Sequence, residues 1–247
     1  MPGRALAGAL AAAAVVAAAL PLSAGAQDPA FVCGTRVATT VGTPGDDVIY
    51  GTAGNDIIAG LGGDDVIYGL GGNDRICGDV NGLEIGGNDF IDAGSGDDRV
   101  LGEGADIAIA GSDTIYGGPG NEVFLLGDGD RIGTGGDDWI SAGDGNDDSV
   151  EGDGANIGTG GDDQVYGDAG NDTGVAGDGL EDIATGGDDH VFGGRGNDSL
   201  DGDQTIGDSP DGGNDNLDGG AGFDSLDGDT GIDRCLRGEF VVNCELF

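Results

Sequence analysis

The sequence predicts an all-β protein built as a parallel β-solenoid, and three observations carry this prediction. Beginning at Gly42, four nonapeptides follow one another without interruption: GTPGDDVIY, GTAGNDIIA, GLGGDDVIY and GLGGNDRIC. Each of them fits the pattern G-x-x-G-x-D-x-U-x, where U is a large apolar residue. One inward apolar residue in every nine forms a thin core only when the repeats stack along an axis, as they do in a solenoid.

The first 26 residues differ from the repeats and are predicted to be a secretory signal peptide. Arg4 precedes an apolar run from Leu6 to Leu22, and small residues occupy positions 24–26. We expect cleavage before Gln27. A membrane anchor is the alternative, but the run is short, rich in alanine and not followed by a stop-transfer pattern. No later segment is apolar enough to span a bilayer, so the mature chain is expected to be soluble and secreted to the extracellular space.

The composition is strongly acidic, with 48 Asp and Glu against eight Lys and Arg and a net charge of −40. Without Arg4 the mature chain keeps seven arginines and no lysine, so it repels nucleic acids and anionic membranes. The 58 glycines and the charge together favour disorder unless cations are supplied. Divalent cations that prefer oxygen ligands are therefore the expected partners.

The acids at the sixth position of seventeen such repeats are the candidate metal ligands. The four tandem repeats supply Asp47, Asp56, Asp65 and Asp74, and the last repeat supplies Asp233. Beyond Cys77 equivalent acids recur at steps of 24–26 residues and form two columns. The first column contains Asp89, Asp113, Asp138, Asp163, Asp189 and Asp215. The second column contains Asp98, Glu122, Asp147, Asp172, Asp198 and Asp224.

The change in spacing predicts a change in the shape of the coil. Two nonapeptides make an 18-residue coil with two sides, and seven further residues add a third side. We expect about two short coils at the N-terminal end and six coils of about 25 residues after them. A third acidic column marks the added side, at Glu103, Asp128, Asp153, Asp178 and Asp203, and is followed by Ile107, Ile132, Ile157, Ile183 and Ile206. Because these turns lack the complete repeat pattern, whether this column binds metal stays open.

Calcium is the cation that this spacing favours. Glycine at the first and fourth positions permits a sharp turn that points carbonyl oxygens to one side, and the sixth-position acid adds a carboxylate. Two stacked turns then offer six or more oxygens, which suits Ca²⁺ better than the small octahedral Mg²⁺. The fifth position is Asp or Asn in most turns, and it either ligates the ion, caps the turn or tolerates a left-handed backbone.

The alternative is that Asp, Asn and Gly occur here only because they form turns well. That explanation accounts for the residue types, but it does not account for the fixed phase or for the nearly invariant sixth-position acid. Columns of like charges are unfavourable without a counterion between them. The pattern therefore favours calcium over turn formation alone.

The tandem units GTPGDDVIY, GTAGNDIIA and GLGGDDVIY resemble the RTX, or hemolysin-type, calcium-binding nonapeptide repeats. The resemblance covers Gly42 to Asp233, and it implies a parallel β-roll with Ca²⁺ ions between stacked turns. Many members leave the cell by a C-terminal signal and lack cysteines, whereas this chain has an N-terminal signal and four cysteines. The long coils also depart from the regular two-sided roll, so the resemblance leaves the number of sites open.

The four cysteines are expected to form disulfides, since the chain is exported. Three pairings are possible, and we favour Cys33 with Cys77 and Cys235 with Cys244 because each closes a local segment. A metal–thiolate site is the alternative, but the sequence has one histidine and no CxxC. The predicted organisation is a signal peptide at 1–26, an N-terminal cap at 27–41, the solenoid at 42–233 and a disulfide-closed C-terminal cap at 234–247.

The repeats leave no room for a catalytic domain, and neither HExxH nor GxSxG occurs, so no enzyme activity is expected. His190 is expected to face outward. A β-helical polysaccharide lyase or epimerase with an arginine base is one alternative, with candidates Arg75, Arg99, Arg131 and Arg195. A calcium-dependent adhesin or ice-binding protein is another, with a ladder of Thr134, Thr159 and Thr185. We expect a structural or surface role in which cell-surface or matrix polysaccharide is the candidate partner.

Overall fold

The computed structural model describes residues 32–33, 36–179, 185–203 and 212–245. The predicted signal peptide, Ile183 and Ile206 lie outside these residues. The described part is all-β and contains no helix. Its strands are β1 (Val32–Cys33), β2 (Arg36–Val37), β3 (Thr40–Val41), β4 (Val48–Tyr50), β5 (Ile57–Leu61), β6 (Val66–Tyr68), β7 (Arg75–Asp79), β8 (Phe90–Asp92), β9 (Arg99–Leu101), β10 (Thr114–Pro119), β11 (Phe124–Leu126), β12 (Trp139–Asp144), β13 (Asp148–Asp153), β14 (Gln164–Tyr166), β15 (Thr173–Asp178), β16 (His190–Arg195), β17 (Ser199–Asp203), β18 (Asn216–Ala221), β19 (Ser225–Asp227), β20 (Arg234–Leu236) and β21 (Phe240–Val242).

Successive strands alternate between two parallel sheets, as a solenoid requires. The even sheet contains the nine even-numbered strands from β4 to β20, and the odd sheet contains the ten odd-numbered strands from β3 to β21. Each strand pairs with the equivalent strand of the next coil, so that Ile49 lies opposite Ile67 and Ile67 opposite Ile91. The predicted parallel β-solenoid is therefore confirmed.

Coil length follows the spacing of the repeats. Equivalent turn acids are 18 residues apart at the N-terminal end and 24, 25 and then 26 residues apart along the middle. The prediction of short coils followed by coils of about 25 residues is thus confirmed. One difference appears at the C-terminal end, where Asp215 and Asp233 are again 18 residues apart. The added side is absent from this last coil because the two acids are separated by only two nonapeptides.

The core is as thin as the pattern predicts. The apolar residue in the middle of each strand points inward and packs on the equivalent residue of the next coil, which gives one continuous column of aliphatic side chains. Ile67, Ile91 and Val165 are completely buried in it. A second, smaller cluster under the third side contains Ile107, Ile132 and Ile157. Both clusters lie next to the turns that carry the acids.

The third side has little regular strand structure in the described residues. Its coils are joined by backbone hydrogen bonds such as Gly133 N–H to Ile107 O at 3.0 Å and Gly158 N–H to Ile132 O at 3.0 Å. An isolated parallel bridge joins Ile85 to Ile109. The seven added residues therefore stack in register, which fixes the position of the acids at their start.

Disulfides join each end of the solenoid to a flanking segment, with the pairing that the sequence favours. Cys33 of the small antiparallel β1–β2 pair is bonded to Cys77 of β7, with 5.4 Å between their Cα atoms. Cys235 of β20 is bonded to Cys244, with 5.9 Å between Cα atoms. The side chains of β21 are exposed at the open end of the odd sheet. No helix that is long and apolar enough to cross a bilayer occurs in the described residues.

An aromatic ladder covers the outer face of the even sheet. Neighbouring ring centroids lie 4.8–6.0 Å apart along Tyr50, Tyr68, Phe90, Tyr116, Trp139, Tyr166 and Phe192. Because the rings stack on one another from coil to coil, they add cross-strand contacts that the one-residue core lacks.

Candidate metal centre

Each sixth-position acid is held in place by the coil before it. The backbone N–H of Asp47 donates to Asp65 Oδ1 at 2.8 Å, and the N–H of Asp138 donates to Asp163 Oδ1 at 2.8 Å. The second column repeats this arrangement, since Asp147 N–H donates to Asp172 Oδ1 at 3.0 Å. One oxygen of each carboxylate is therefore fixed, and the side chains form two continuous columns along the turns. The first column precedes the strands of the even sheet, and the second precedes those of the odd sheet.

The other oxygen of most of these carboxylates has no partner. Fifteen of the seventeen candidate ligands are buried and keep at least one unpartnered side-chain oxygen; the fifteen are Asp65, Asp74, Asp89, Asp98, Asp113, Glu122, Asp138, Asp147, Asp163, Asp172, Asp189, Asp198, Asp215, Asp224 and Asp233. Buried oxygens without a hydrogen bond are destabilising, and anionic ones more so. A row of bound cations would supply the missing partners, so the residues fit the ion.

Asp47 and Asp56 differ from the other fifteen. Asp47 Oδ2 accepts a hydrogen bond from Thr43 Oγ1 at 2.8 Å, and Asp56 Oδ2 accepts one from Thr52 Oγ1 at 2.8 Å. Both carboxylates are only half-buried because they belong to the first coil, which has no repeat before it. The structure thus places these two candidates at the end of their columns with hydroxyl partners.

Backbone carbonyls provide further oxygens beside the columns. A Cβ atom added to Gly87 would overlap the carbonyl oxygen of Gly63, the equivalent residue of the coil before it. Gly161 has the same relationship to the carbonyl of Gly136. The fourth-position glycines are therefore needed because carbonyl oxygens occupy the space of their side chains. The turns combine carbonyl and carboxylate oxygens, which is the ligand set that Ca²⁺ prefers.

The third column lies beside the first. Its acids accept hydrogen bonds from glycine amides of their own coil, for example Asp128 Oδ2 from Gly136 N–H at 2.9 Å and Asp153 Oδ2 from Gly161 N–H at 2.8 Å. Their other oxygens have no partner. Asp79 belongs to this column too, since its Oδ2 accepts from Gly87 N–H at 2.7 Å. The sequence pattern missed Asp79 because Val80 stands where the later coils have glycine.

First-column and third-column acids meet in three clusters in the described residues. In each cluster, one oxygen from each of three buried side chains lies within 4.8 Å of the others. The clusters are Asp128 with Asp138 and Asp153, Asp153 with Asp163 and Asp178, and Asp178 with Asp189 and Asp203. The second column has no neighbouring acid of this kind among the described residues, so the two columns offer different surroundings.

Burial raises the pKa of all fifteen buried column carboxyls. It raises the pKa of Asp65 to about 7 and that of Asp98 to about 6. In the middle of the solenoid burial raises the pKa of Asp163 well above its usual range, and the charge of Asp153 raises it further. The pKa of Asp153 is likewise raised well above normal, first by burial and then by Asp128. Such carboxyls are stable where they are only when protonated or beside a cation.

The fifth-position residues cap turns along the solenoid. Asp137 Oδ1 accepts from Asp162 N–H at 3.1 Å, and Asp162 Oδ1 accepts from Asp188 N–H at 2.9 Å. In the second column Asn146 Oδ1 accepts from Asn171 N–H at 2.9 Å. These side chains are exposed and bond to the next coil. Of the three roles open for this position, the structure shows capping.

Two glutamates end the columns at the C-terminal end, and the repeat pattern did not predict them. Glu239 Oε2 accepts from Asp224 N–H at 2.7 Å, and Glu245 Oε2 accepts from Asp233 N–H at 2.6 Å. Each provides the acceptor that the next repeat would have supplied. The extra methylene of glutamate reaches the last amide from a chain that no longer follows the repeat.

The residues considered for other functions do not converge on a site. His190 is exposed at the start of β16, and Arg131 pairs with Asp106 at 2.6 Å on the surface. Arg99 lies over the Phe124 ring, 4.1 Å from its centroid, on the odd sheet. The predicted threonines Thr134, Thr159 and Thr185 are exposed on the third side.

The fold and these oxygen-lined columns define a β-solenoid of the calcium-binding class. The family model of the RTX calcium-binding nonapeptide repeat matches residues 41–76, 86–107, 110–131, 132–157, 152–179, 183–204 and 210–238. These segments cover more than half of the chain, so the chain belongs to the RTX calcium-binding repeat family and its repeats bind Ca²⁺. No curated protein and no solved structure gives a significant match.

Proposed function

We propose that this chain is a secreted calcium-binding repeat protein that folds when calcium binds and serves a structural role at a cell surface or in an extracellular matrix. The observation that carries the proposal is the set of fifteen buried turn acids with unpartnered oxygens. We propose these fifteen as calcium ligands. Asp47 and Asp56 are proposed as weaker end ligands, since threonine hydroxyls already bind the oxygens that an ion would need.

The thin core explains why the fold would depend on the ion. Each coil buries about one aliphatic side chain per strand, worth roughly 1.5–3 kcal/mol. Ordering each residue of the chain costs about 1–2 kcal/mol in backbone entropy, so this core alone does not hold a coil together. A ligand that binds only the folded state adds RT ln(1 + [L]/Kd) for every site. Several sites in series would then provide the missing stability.

Secretion follows the same reasoning. At the low free calcium of a cytosol the acidic columns would repel and the chain would stay expanded, which suits export. Extracellular calcium modules work at Kd values of about 10⁻⁴–10⁻³ M, where the ion is abundant outside the cell. The two disulfides also fit an oxidising compartment. The predicted N-terminal signal would direct the export.

A non-enzymatic role is proposed because the candidate catalytic residues lie apart. Exposed His190 and the paired Arg131 are on different faces of the repeats, and Arg99 contacts an aromatic ring. Matrix or cell-surface polysaccharide is the proposed partner. An adhesin or ice-binding role is supported by one observation, the three exposed threonines of the third side. Binding of labelled matrix polysaccharides to the calcium-loaded protein, together with thermal hysteresis measurements, would distinguish the two roles.

The proposal is tested by producing the full chain in a bacterial host and recovering it from the medium. We expect a mature protein that begins at Gln27, has no free thiol and is compact in calcium but expanded in chelator. An intact N-terminus on a protein retained in the cytosol would contradict secretion. An unchanged hydrodynamic radius in chelator would contradict calcium-dependent folding.

A further inference from the structure

The interior of the long coils contains a row of acids that differs from the two turn columns. The three clusters described above follow one another along the axis, and each successive pair shares one residue. Asp153 belongs to the first two clusters, and Asp178 belongs to the last two. The row therefore contains seven carboxylates: Asp128, Asp138, Asp153, Asp163, Asp178, Asp189 and Asp203.

Every carboxylate of the row is fixed through one oxygen and left without a partner at the other. Asp153 is fully buried; its Oδ2 accepts from Gly161 N–H at 2.8 Å, and its Oδ1 has no partner. Asp163 is 1% exposed; its Oδ1 accepts from Asp138 N–H at 2.8 Å, and its Oδ2 has no partner. The same division holds for Asp178, whose Oδ2 accepts from Gly187 N–H at 2.9 Å. Turn hydrogen bonds therefore account for only half of the oxygens.

Glycines on both sides of the row leave room for these carboxylates. A Cβ atom on Gly135 would overlap the carboxylate of Asp153, and one on Gly160 would overlap that of Asp178. On the opposite side, a Cβ atom on Gly152 would overlap Asp163 Oδ2. The backbone thus holds anionic oxygens from two columns close together in a place that water does not reach, an arrangement that is costly without a cation.

We propose that the three clusters form an interior row of three Ca²⁺ sites, in which Asp153 and Asp178 each bridge two ions. The proposal rests on the calcium-dependent folding proposed above and adds a second class of site to it. Three divalent ions offset six of the seven negative charges of the row. Each site has three carboxylates, whereas the second column lacks such clusters, and affinity for Ca²⁺ rises with ligand charge. The row therefore forms the tighter class of site.

The extent of the row follows from the chain. Toward the N-terminus the equivalent position is Glu103, whose longer side chain accepts from Gly111 N–H at 2.6 Å and belongs to none of the three clusters. Toward the C-terminus the coil between Asp215 and Asp233 is short and has no third acid. The row is thus limited to the coils in which aspartates occupy both columns.

Three Asp→Asn variants of the mature, disulfide-bonded protein test the bridge. Asparagine keeps an oxygen for the turn hydrogen bond and replaces the unpartnered oxygen with an NH₂ group, which repels a cation. Asp153→Asn should lose two bound Ca²⁺ ions and Asp128→Asn one. Asp162→Asn is the matched control, since Asp162 is exposed, caps Asp188 N–H and occupies a position where other coils have Asn88 or Asn214. It should lose none.

The measurement is the number of Ca²⁺ ions bound at saturation, by native mass spectrometry and equilibrium dialysis against CaCl₂, with MgCl₂ as the competing ion. An isotherm with a tight class in wild type that is reduced in Asp153→Asn supports the row. Equal stoichiometry in Asp153→Asn and Asp162→Asn overturns it, and means that protons rather than cations occupy the clusters. Wild-type protein that binds no calcium would overturn the proposed function as well, so the two failures are distinguishable.

Variants at the two ends of the row keep the test valid if Asp153→Asn does not fold in calcium. Asp128→Asn and Asp203→Asn each affect a single cluster, and their turn hydrogen bonds are preserved in the same way. Each should lose one ion and the double variant two, with circular dichroism confirming the fold. A folded double variant with the wild-type number of ions would also overturn the row.

Discussion

The short coils at the ends and the long coils in the middle use the same repeat in different surroundings. In the first short coil Asp47 is half-buried, and a threonine hydroxyl satisfies its second oxygen. In the long coils Asp163 is buried, its second oxygen has no partner, and acids of a third column lie within 4.8 Å. Seven additional residues therefore change a turn with one carboxylate into a cluster with three.

This difference shows how the solenoid can vary calcium affinity without changing the repeat. The added residues leave the registers of both sheets intact, since Ile140 still pairs with Val165 and Val150 with Val175. They also place a buried acid where the short coils have only glycine. The strength of each site is thus set by what the coil inserts between two repeats.

The largest expected effect is the loss of a central ligand compared with a terminal one. Asp163→Ala removes a carboxylate that lies between two neighbouring coils, whereas Asp47→Ala removes one that has a hydroxyl partner. Even outer-shell changes lower metal affinity by about 10–100-fold, so Asp163→Ala should raise the calcium midpoint for folding at least about tenfold. Asp47→Ala should change it much less. Calcium titrations followed by circular dichroism measure both, and equal midpoints would contradict stacked sites.

A smaller effect is expected from a methyl group at the fourth position of the repeat. Gly161→Ala places a Cβ atom on the Gly136 carbonyl, while the equivalent Gly45 of the first coil has no atom within 4 Å of that position. Overpacking costs typically about 1–3 kcal/mol, so Gly161→Ala should lower the unfolding free energy in calcium by this amount. Gly45→Ala should be neutral or stabilise by about 0.4–1 kcal/mol. Urea unfolding in saturating calcium compares the two, and equal losses would argue against close stacking of the turns.

The smallest expected effect is that of acid on the metal-free protein. Burial raises the folded-state pKa of Asp65 and Asp172 from the ordinary 3.8 to about 7. A raised acid pKa means that the folded state binds the proton more tightly, so stability is lost as pH rises from about 4 to about 7. In chelator, β-structure should increase as pH falls through this window, and calcium should bind less tightly there. Far-ultraviolet circular dichroism against pH, with and without chelator, checks this; metal-free β-content that falls on acidification would contradict the burial of charged carboxyls.

The sequence predicted the parts of the fold that depend on the repeat phase. The tandem pattern identified the inward residues, the coil lengths and the turn acids, because a fixed phase determines which side chains stack. Pairing of Cys33 with Cys77 was predicted from local closure, and the structure agrees. The return to an 18-residue coil after Asp215 was overlooked, although it follows from the same counting.

The missed features depend on contacts between coils rather than on the pattern within one repeat. Asp79 has no glycine after it, and Glu239 lies outside the repeats, yet both continue the acid columns in space. The proximity of the first and third columns is likewise a tertiary fact, since Asp138 and Asp153 are in different coils. The aromatic ladder varies among Tyr, Phe and Trp and shifts position within the repeat, so that only the sheet register reveals it.

A calcium titration of the chelator-treated mature protein tests the central claim most directly, with disulfides intact and with magnesium and sodium as controls. Circular dichroism and hydrodynamic radius should change together in one cooperative step, from an expanded coil to a compact β-structure, and magnesium should not replace calcium. A compact, β-rich protein in excess chelator that does not change when calcium is added would contradict the claim that the metal folds the chain.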